Sequence, residues 1–122
     1  MTPVFDKSCN LVCWLDEDGH HFFDLDLKWI AFVEGGNIFH STTLNWLGPY
    51  VEGSLIDTTG KPVAWLENTT PVGTFKPTKP FKPFKPFKPF KPFKPFAPFK
   101  PFKPFNPLGG WSNLTFKQWL AQ

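Results

Sequence analysis

The sequence predicts an all-β head of four short β-hairpins in a pseudo-four-fold shallow barrel, followed by a polyproline II tract and a short C-terminal helix. Three observations carry this expectation. One five-residue unit recurs four times within residues 1–74. Runs of β-branched and aromatic residues with alternating faces are punctuated by Gly- and Asn-containing turns. From Pro77 to Pro107 proline then returns at every third position, which excludes both α-helix and central β-strand.

The recurring unit is aliphatic, small, aromatic, aliphatic and then usually acidic: Val12-Cys13-Trp14-Leu15-Asp16, Ile30-Ala31-Phe32-Val33-Glu34, Leu44-Asn45-Trp46-Leu47-Gly48 and Val63-Ala64-Trp65-Leu66-Glu67. Upstream of each lies a second short element, Val4-Phe5-Asp6, Phe22-Phe23-Asp24, Ile38-Phe39-His40 and Leu55-Ile56-Asp57. Asp6, Asp24 and Asp57 stand six positions before Val12, Ile30 and Val63, whereas the third copy reads two residues shorter. Each pair of elements is expected to form a hairpin, with turns at Lys7-Ser8-Cys9-Asn10, Asp18-Gly19, Gly35-Gly36-Asn37, Glu52-Gly53 and Thr59-Gly60-Lys61. Along an extended strand Val12 and Trp14 face one side while Cys13 and Leu15 face the other. The small column, Cys13, Ala31, Asn45 and Ala64, then marks close approach near a shared axis. The aromatic column, Trp14, Phe32, Trp46 and Trp65, reads either as core or as the lining of a ligand site. An ordinary meander of biased composition is the plainer account of the same pattern.

Residues 75–108 are a tract of Phe-Lys-Pro triplets in which Thr78 replaces one Phe, Ala97 and Asn106 replace two Lys, and Leu108 closes the Phe column. Polyproline II has three residues per turn, so a period of three keeps each residue type on its own edge. The Phe edge is Phe75, Phe81, Phe84, Phe87, Phe90, Phe93, Phe96, Phe99, Phe102 and Phe105, and the Lys edge includes Lys82, Lys85, Lys88, Lys91 and Lys94. These are the candidate interaction residues. A straight tract would reach about 100 Å, against a head some 25–30 Å across. A phenylalanine stripe of that length is rarely left in water. The tract therefore bends back on itself, bundles with tracts of other chains, or inserts its Phe edge into a membrane or partner. Residues 109–122 read as a Gly109-Gly110 hinge and a short amphipathic helix, with Ser112 or Asn113 as N-cap and Leu114, Trp119 and Leu120 on one side.

The formal net charge of +3 conceals a division. All ten acids lie within residues 1–74 beside only Lys7, Lys28 and Lys61, leaving the head at a formal −7 and the remainder at +10. Head and tract should attract, within one chain or between chains, and salt should weaken whatever part is exposed. The absence of Arg removes planar bidentate phosphate recognition, although lysines remain point charges toward anionic lipid. The acidic head would repel nucleic acid, so no specific nucleic acid is expected.

No chemistry-bearing motif emerges. Cys9 and Cys13 lack the two further ligands of a zinc site and are read as structural. Residues 1–10 lack the apolar core of a signal peptide, so a cytoplasmic setting is expected, with a peripheral position at the membrane left open. The apolar runs fall short of the ~20 residues of a membrane-spanning helix. His20, His21 and His40 have no fixed geometry toward the cysteines, and Asp16-Glu17-Asp18 lacks the EF-hand spacing. Neither metal nor cofactor is expected. With no phosphate loop, nucleophile elbow or paired catalytic motif, an enzyme is not expected, and no small-molecule substrate is identified.

Val4-Phe5-Asp6-Lys7, the run Val63-Ala64-Trp65-Leu66-Glu67, and the triplet tract leading to Gly110-Trp111-Ser112 together resemble the four-fold β-flower family of bacterial proteins. The resemblance covers nearly the whole chain, although relatives tend to carry Leu where this tract has Phe. It implies a barrel-like ring of short hairpins, loosely similar to the lipid-binding tubby C-terminal domain, and it brings no catalytic residues. Asn45 in the small column and the shortened third copy depart from strict symmetry. The expected function is that of a non-enzymatic structural or interaction protein whose tract packs or self-associates with the β head, making a homo-oligomer through the tract. Two other readings stand beside it: peripheral binding to anionic membranes or lipid through the Lys and Phe edges, and binding of a small apolar ligand by the aromatic ring of the head.

Overall fold

The computed structural model describes residues 1–74 and 110–122. Eight strands, β1 (Thr2–Asp6), β2 (Leu11–Leu15), β3 (His21–Phe23), β4 (Trp29–Glu34), β5 (Asn37–His40), β6 (Trp46–Val51), β7 (Ser54–Ile56) and β8 (Pro62–Leu66), form a closed antiparallel barrel in sequence order. β8 returns to pair with β1 through Val4 and Leu66, Phe5 and Trp65, and Asp6 and Ala64. Closure leaves no edge strand among the described residues. One helix, α1 (Phe116–Leu120), follows. The four hairpins and the terminal helix expected from sequence are the architecture of the described residues; the expected polyproline II tract at 75–108 lies outside them.

Each hairpin is built alike. Val4 pairs with Cys13, Phe22 with Ala31, Ile38 with Gly48, and Leu55 with Ala64, and all eight residues are buried. One step toward the turn, Phe5 pairs with Leu11, Phe23 with Trp29, Phe39 with Trp46, and Ile56 with Pro62. Between those pairs sits one extra residue, Val12, Ile30, Leu47 or Val63, and the bulge it makes bends the strand sharply. This bend lets strands of three to six residues close a small barrel. The bulge residues join the interior cluster, where Val4, Phe22, Ile38 and Leu55 meet Cys13, Leu15, Val33 and Leu66.

The third hairpin differs from its sequence reading. Leu44 and Asn45 lie in the turn, and the structural counterpart of Val12-Cys13-Trp14-Leu15 is Leu47-Gly48-Pro49-Tyr50, three positions later than the sequence likeness suggested. The cause is turn length: the N–H of Asp6 bonds to Asn10 O, that of Asp24 to Lys28 O and that of Asp57 to Lys61 O, but that of His40 reaches Asn45 O. The third turn is one residue longer, not two shorter. Gly48, not Asn45, is therefore the fourth small residue. A Cβ on Gly48 would lie 1.8 Å from the carbonyl oxygen of Ile56, so the two strands approach too closely for any side chain there.

Candidate functional site

The four hairpin turns share one device. The Oδ1 of Asp6 accepts from the N–H groups of Ser8 and Asn10, that of Asp24 from Asp26 and Lys28, and that of Asp57 from Thr59 and Lys61. At the third turn His40 takes the acceptor role, its Nδ1 receiving the N–H groups of Thr42 at 3.1 Å and Thr43 at 3.3 Å. Burial holds the His40 pKa below the ordinary histidine value, which suits an acceptor nitrogen. Beyond the acceptor the chain turns through left-handed backbone at Cys9, Leu27, Leu44 and Gly60. The repeated acids seen in sequence are thus turn-forming groups.

The aromatic column does not surround one cavity. Alternation places Trp14, Phe32 and Trp65 on the face opposite the interior cluster, each at a joint between strands. Trp14 packs with Met1 and Phe23, Phe32 stacks on Phe39 at a ring separation of 5.5 Å, and Trp65 lies 5.3 Å from Phe5 and packs with Cys9. Trp46 occupies the position of Leu11, Trp29 and Pro62, while Pro49 stands at the fourth place of the column. Of the two readings the sequence left open, core or ligand lining, the packing seen here is that of rings set between hairpins.

The barrel interior is occupied by the chain itself. Phe116 and Trp119 of α1 belong to the same buried cluster as Val4, Phe22, Ile38 and Leu55. The helix closes the mouth at the turn end, where Trp119 Nε1 donates to Ile56 O, Gln122 Nε2 donates to Leu47 O, and Asn45 Nδ2 donates to Gln122 O. Its N-cap is Thr115, in a reciprocal capping box with Gln118, and not Ser112 or Asn113. Ser112 serves elsewhere. Its Oγ donates to Asp57 Oδ2, its backbone N–H bonds to Pro62 O, and its Oγ accepts the N–H of Leu114. Burial pushes the Asp57 carboxyl up, but hydrogen bonds from Ser112, Thr59 and the backbone of Lys61 and Thr59 outweigh it and hold the carboxyl below its ordinary value.

These contacts create a junction. The N–H of Gly110 bonds to Gly73 O at 3.3 Å, and the N–H of Val72 bonds to Ser54 Oγ at 3.0 Å. The two ends of the segment 75–109 therefore meet on the barrel. Trp111 packs on the Phe5, Cys9 and Trp65 cluster, and a pocket of about 200 Å³ opens between the first turn (Asp6, Lys7, Ser8) and residues 111–116. Sequence reasoning missed the clasp of Asp57 and Ser112, whose partners stand 55 positions apart; the Asp-Thr-Thr-Gly turn was visible, its distant partner was not.

Cys9 and Cys13 are buried free thiols, and burial, with the Asp24 charge adding to it, pushes the Cys13 thiol well up. Asp16, Asp18 and His21 each bring one ligand-type atom within 4.8 Å of the others, a grouping absent from the sequence reading, with His21 Nδ1 and Asp18 Oδ2 at 2.7 Å. His20 is exposed, apart from this group. The Phe and Lys edges from Phe75 to Phe105 lie outside the described residues. Among the described residues no helix is long and apolar enough to cross a membrane. A family model described as 4-fold beta flower protein matches residues 2–120, from the first residue of β1 to the last of α1. No curated protein and no solved structure matches the chain.

Proposed function

The chain belongs to the 4-fold beta flower family, and on that footing we propose that it is a non-enzymatic interaction protein: a filled barrel that serves as scaffold for the basic, Phe-edged tract, which packs with the β head. The observation that carries this reading is the junction. The barrel devotes α1, the Asp57 and Ser112 clasp and the bond between Gly110 and Gly73 to holding both ends of the tract. Its interior is filled by side chains and α1, which suits a support more than a receptor for a small apolar molecule. Between Phe and Lys as the source of tract affinity, Phe dominates. Each buried Phe contributes about 1.5–3 kcal/mol, whereas an exposed lysine and acid pair typically gives less than about 1 kcal/mol.

Replacing the ten tract phenylalanines by Ser tests the reading, with light-scattering mass and thermal midpoint measured beside the parent chain at low and high salt. The variant is expected to lose thermal stability, or oligomeric mass if the parent associates. A variant identical to the parent in both respects would sink the reading. Pelleting of the parent, and not the variant, with anionic vesicles would transfer the tract's role to a membrane surface.

A further inference from the structure

Building on the proposed pairing of tract and head, we infer that the head engaged by residues 75–109 is the one that holds their ends: the tract docks in cis on the acidic outer face of its own barrel. The first argument is where the segment begins and ends. Gly73 and Gly110 are hydrogen-bonded, and each neighbour is tied down separately, Val72 to Ser54 and Ser112 to Asp57. A segment tethered at both ends beside its target meets it at an effective concentration in the millimolar range, which a second chain at micromolar concentration does not match. Length is the second argument. Extended as polyproline II at about 3.1 Å per residue, the segment would span roughly 110 Å, while a head 25–30 Å across has a girth of about 80–90 Å, so its contour length suffices to reach every hairpin and return.

The face itself supplies the third argument. Phe23 and Phe32 point away from the barrel interior and pack there with Met1 and Trp14 and with Trp29 and Phe39, so the outer face at these joints is built of aromatic rings. Glu17, Asp26, Glu34 and Glu52 are exposed on the head, and all ten acids of the chain belong to it. The segment itself carries no acid and bears nine lysines interleaved with phenylalanine. Aromatic edge against aromatic columns, and lysine against carboxylate, is a match that both residue types share.

The test is zero-length carbodiimide coupling of lysine to carboxylate in a one-to-one mixture of ¹⁴N- and ¹⁵N-labelled full chains at micromolar concentration. Chymotryptic peptides are then read by mass spectrometry, because every tract lysine precedes proline and resists trypsin. The expected result is that links from Lys82, Lys85, Lys88, Lys91 or Lys94 to the head acids join peptides of the same isotope only. Mixed-isotope links at the statistical half of the total would overturn docking in cis while leaving the pairing of tract and head intact. Absence of any link between tract and head, with links inside the head present as a control, would overturn both.

Discussion

Gly48 shows how much of the barrel rests on single positions. With φ of +145° and an imagined Cβ 1.8 Å from the Ile56 carbonyl oxygen, it admits no side chain without moving β7. Gly48→Ala is expected to cost about 4 kcal/mol or more, the range of severe core defects, whereas Ala64→Gly at the equivalent place should cost about 1 kcal/mol, for lost β-strand preference. Chemical denaturation of the two variants checks the contrast. His40 is the other singular residue. Its Nδ1 accepts two backbone N–H groups where the other turns use a carboxylate, and its folded pKa is lowered by burial. Its contribution is therefore present above the unfolded histidine value of 6.5 and lost as pH falls through the lower folded value. His40→Asp is expected to flatten the stability profile over roughly pH 5 to 7, the range in which histidine titrates; a slope unchanged in the variant would remove His40 as its source.

At the scale of elements, one hairpin design is used four times and one helix completes it. The strands are too short to be stable as isolated hairpins, and their bulges direct Val12, Ile30, Leu47 and Val63 into a core that α1 then seals. The hold on α1 passes through Asp57, which builds its own turn and accepts from Ser112. Because its folded pKa lies below the ordinary value, the stabilisation is present above that value and lost as pH falls through the depressed one. Ser112→Ala is expected to cost about 1.5–3 kcal/mol, as for a hydrogen bond to a charged group, and to reduce the acid sensitivity below pH 4. Tryptophan fluorescence of the buried Trp119 during acid titration reads both effects.

Taken whole, the molecule is a closed barrel that carries a long basic segment between two anchored ends. Ending the chain at Thr74 would strip Phe116 and Trp119 from the core, so the barrel's independence is better tested by replacing residues 75–109 with a short Gly/Ser linker between ends already in contact. Shortening the loop alone should stabilise by about 2 kcal/mol. Docking of the segment on the head predicts the opposite sign, since the apolar contacts removed outweigh that entropy at about 1.5–3 kcal/mol per phenylalanine. The variant is expected to keep the parent's β-sheet circular dichroism with a lower thermal midpoint; a higher midpoint would show a segment that contributes nothing to the fold.

The number of hairpins, the positions of seven of the eight strands and the acids that open three of the turns are legible along the chain. Alternation, turn chemistry and the capping of N–H groups two and four residues on all act within a few residues, so they are legible along the chain. The register of the third hairpin, by contrast, depends on contacts between strands distant in sequence. The likeness of Trp46-Leu47 to Trp14-Leu15 is local, whereas the pairing of Gly48 with Ile38 is set by the room that Ile56 leaves on the neighbouring strand β7. The candidate site was hidden for the same reason. Ser112 reads as a helix cap until Asp57 stands beside it, and Gly73 and Gly110 read as loop glycines until closure of the barrel and docking of α1 bring them together.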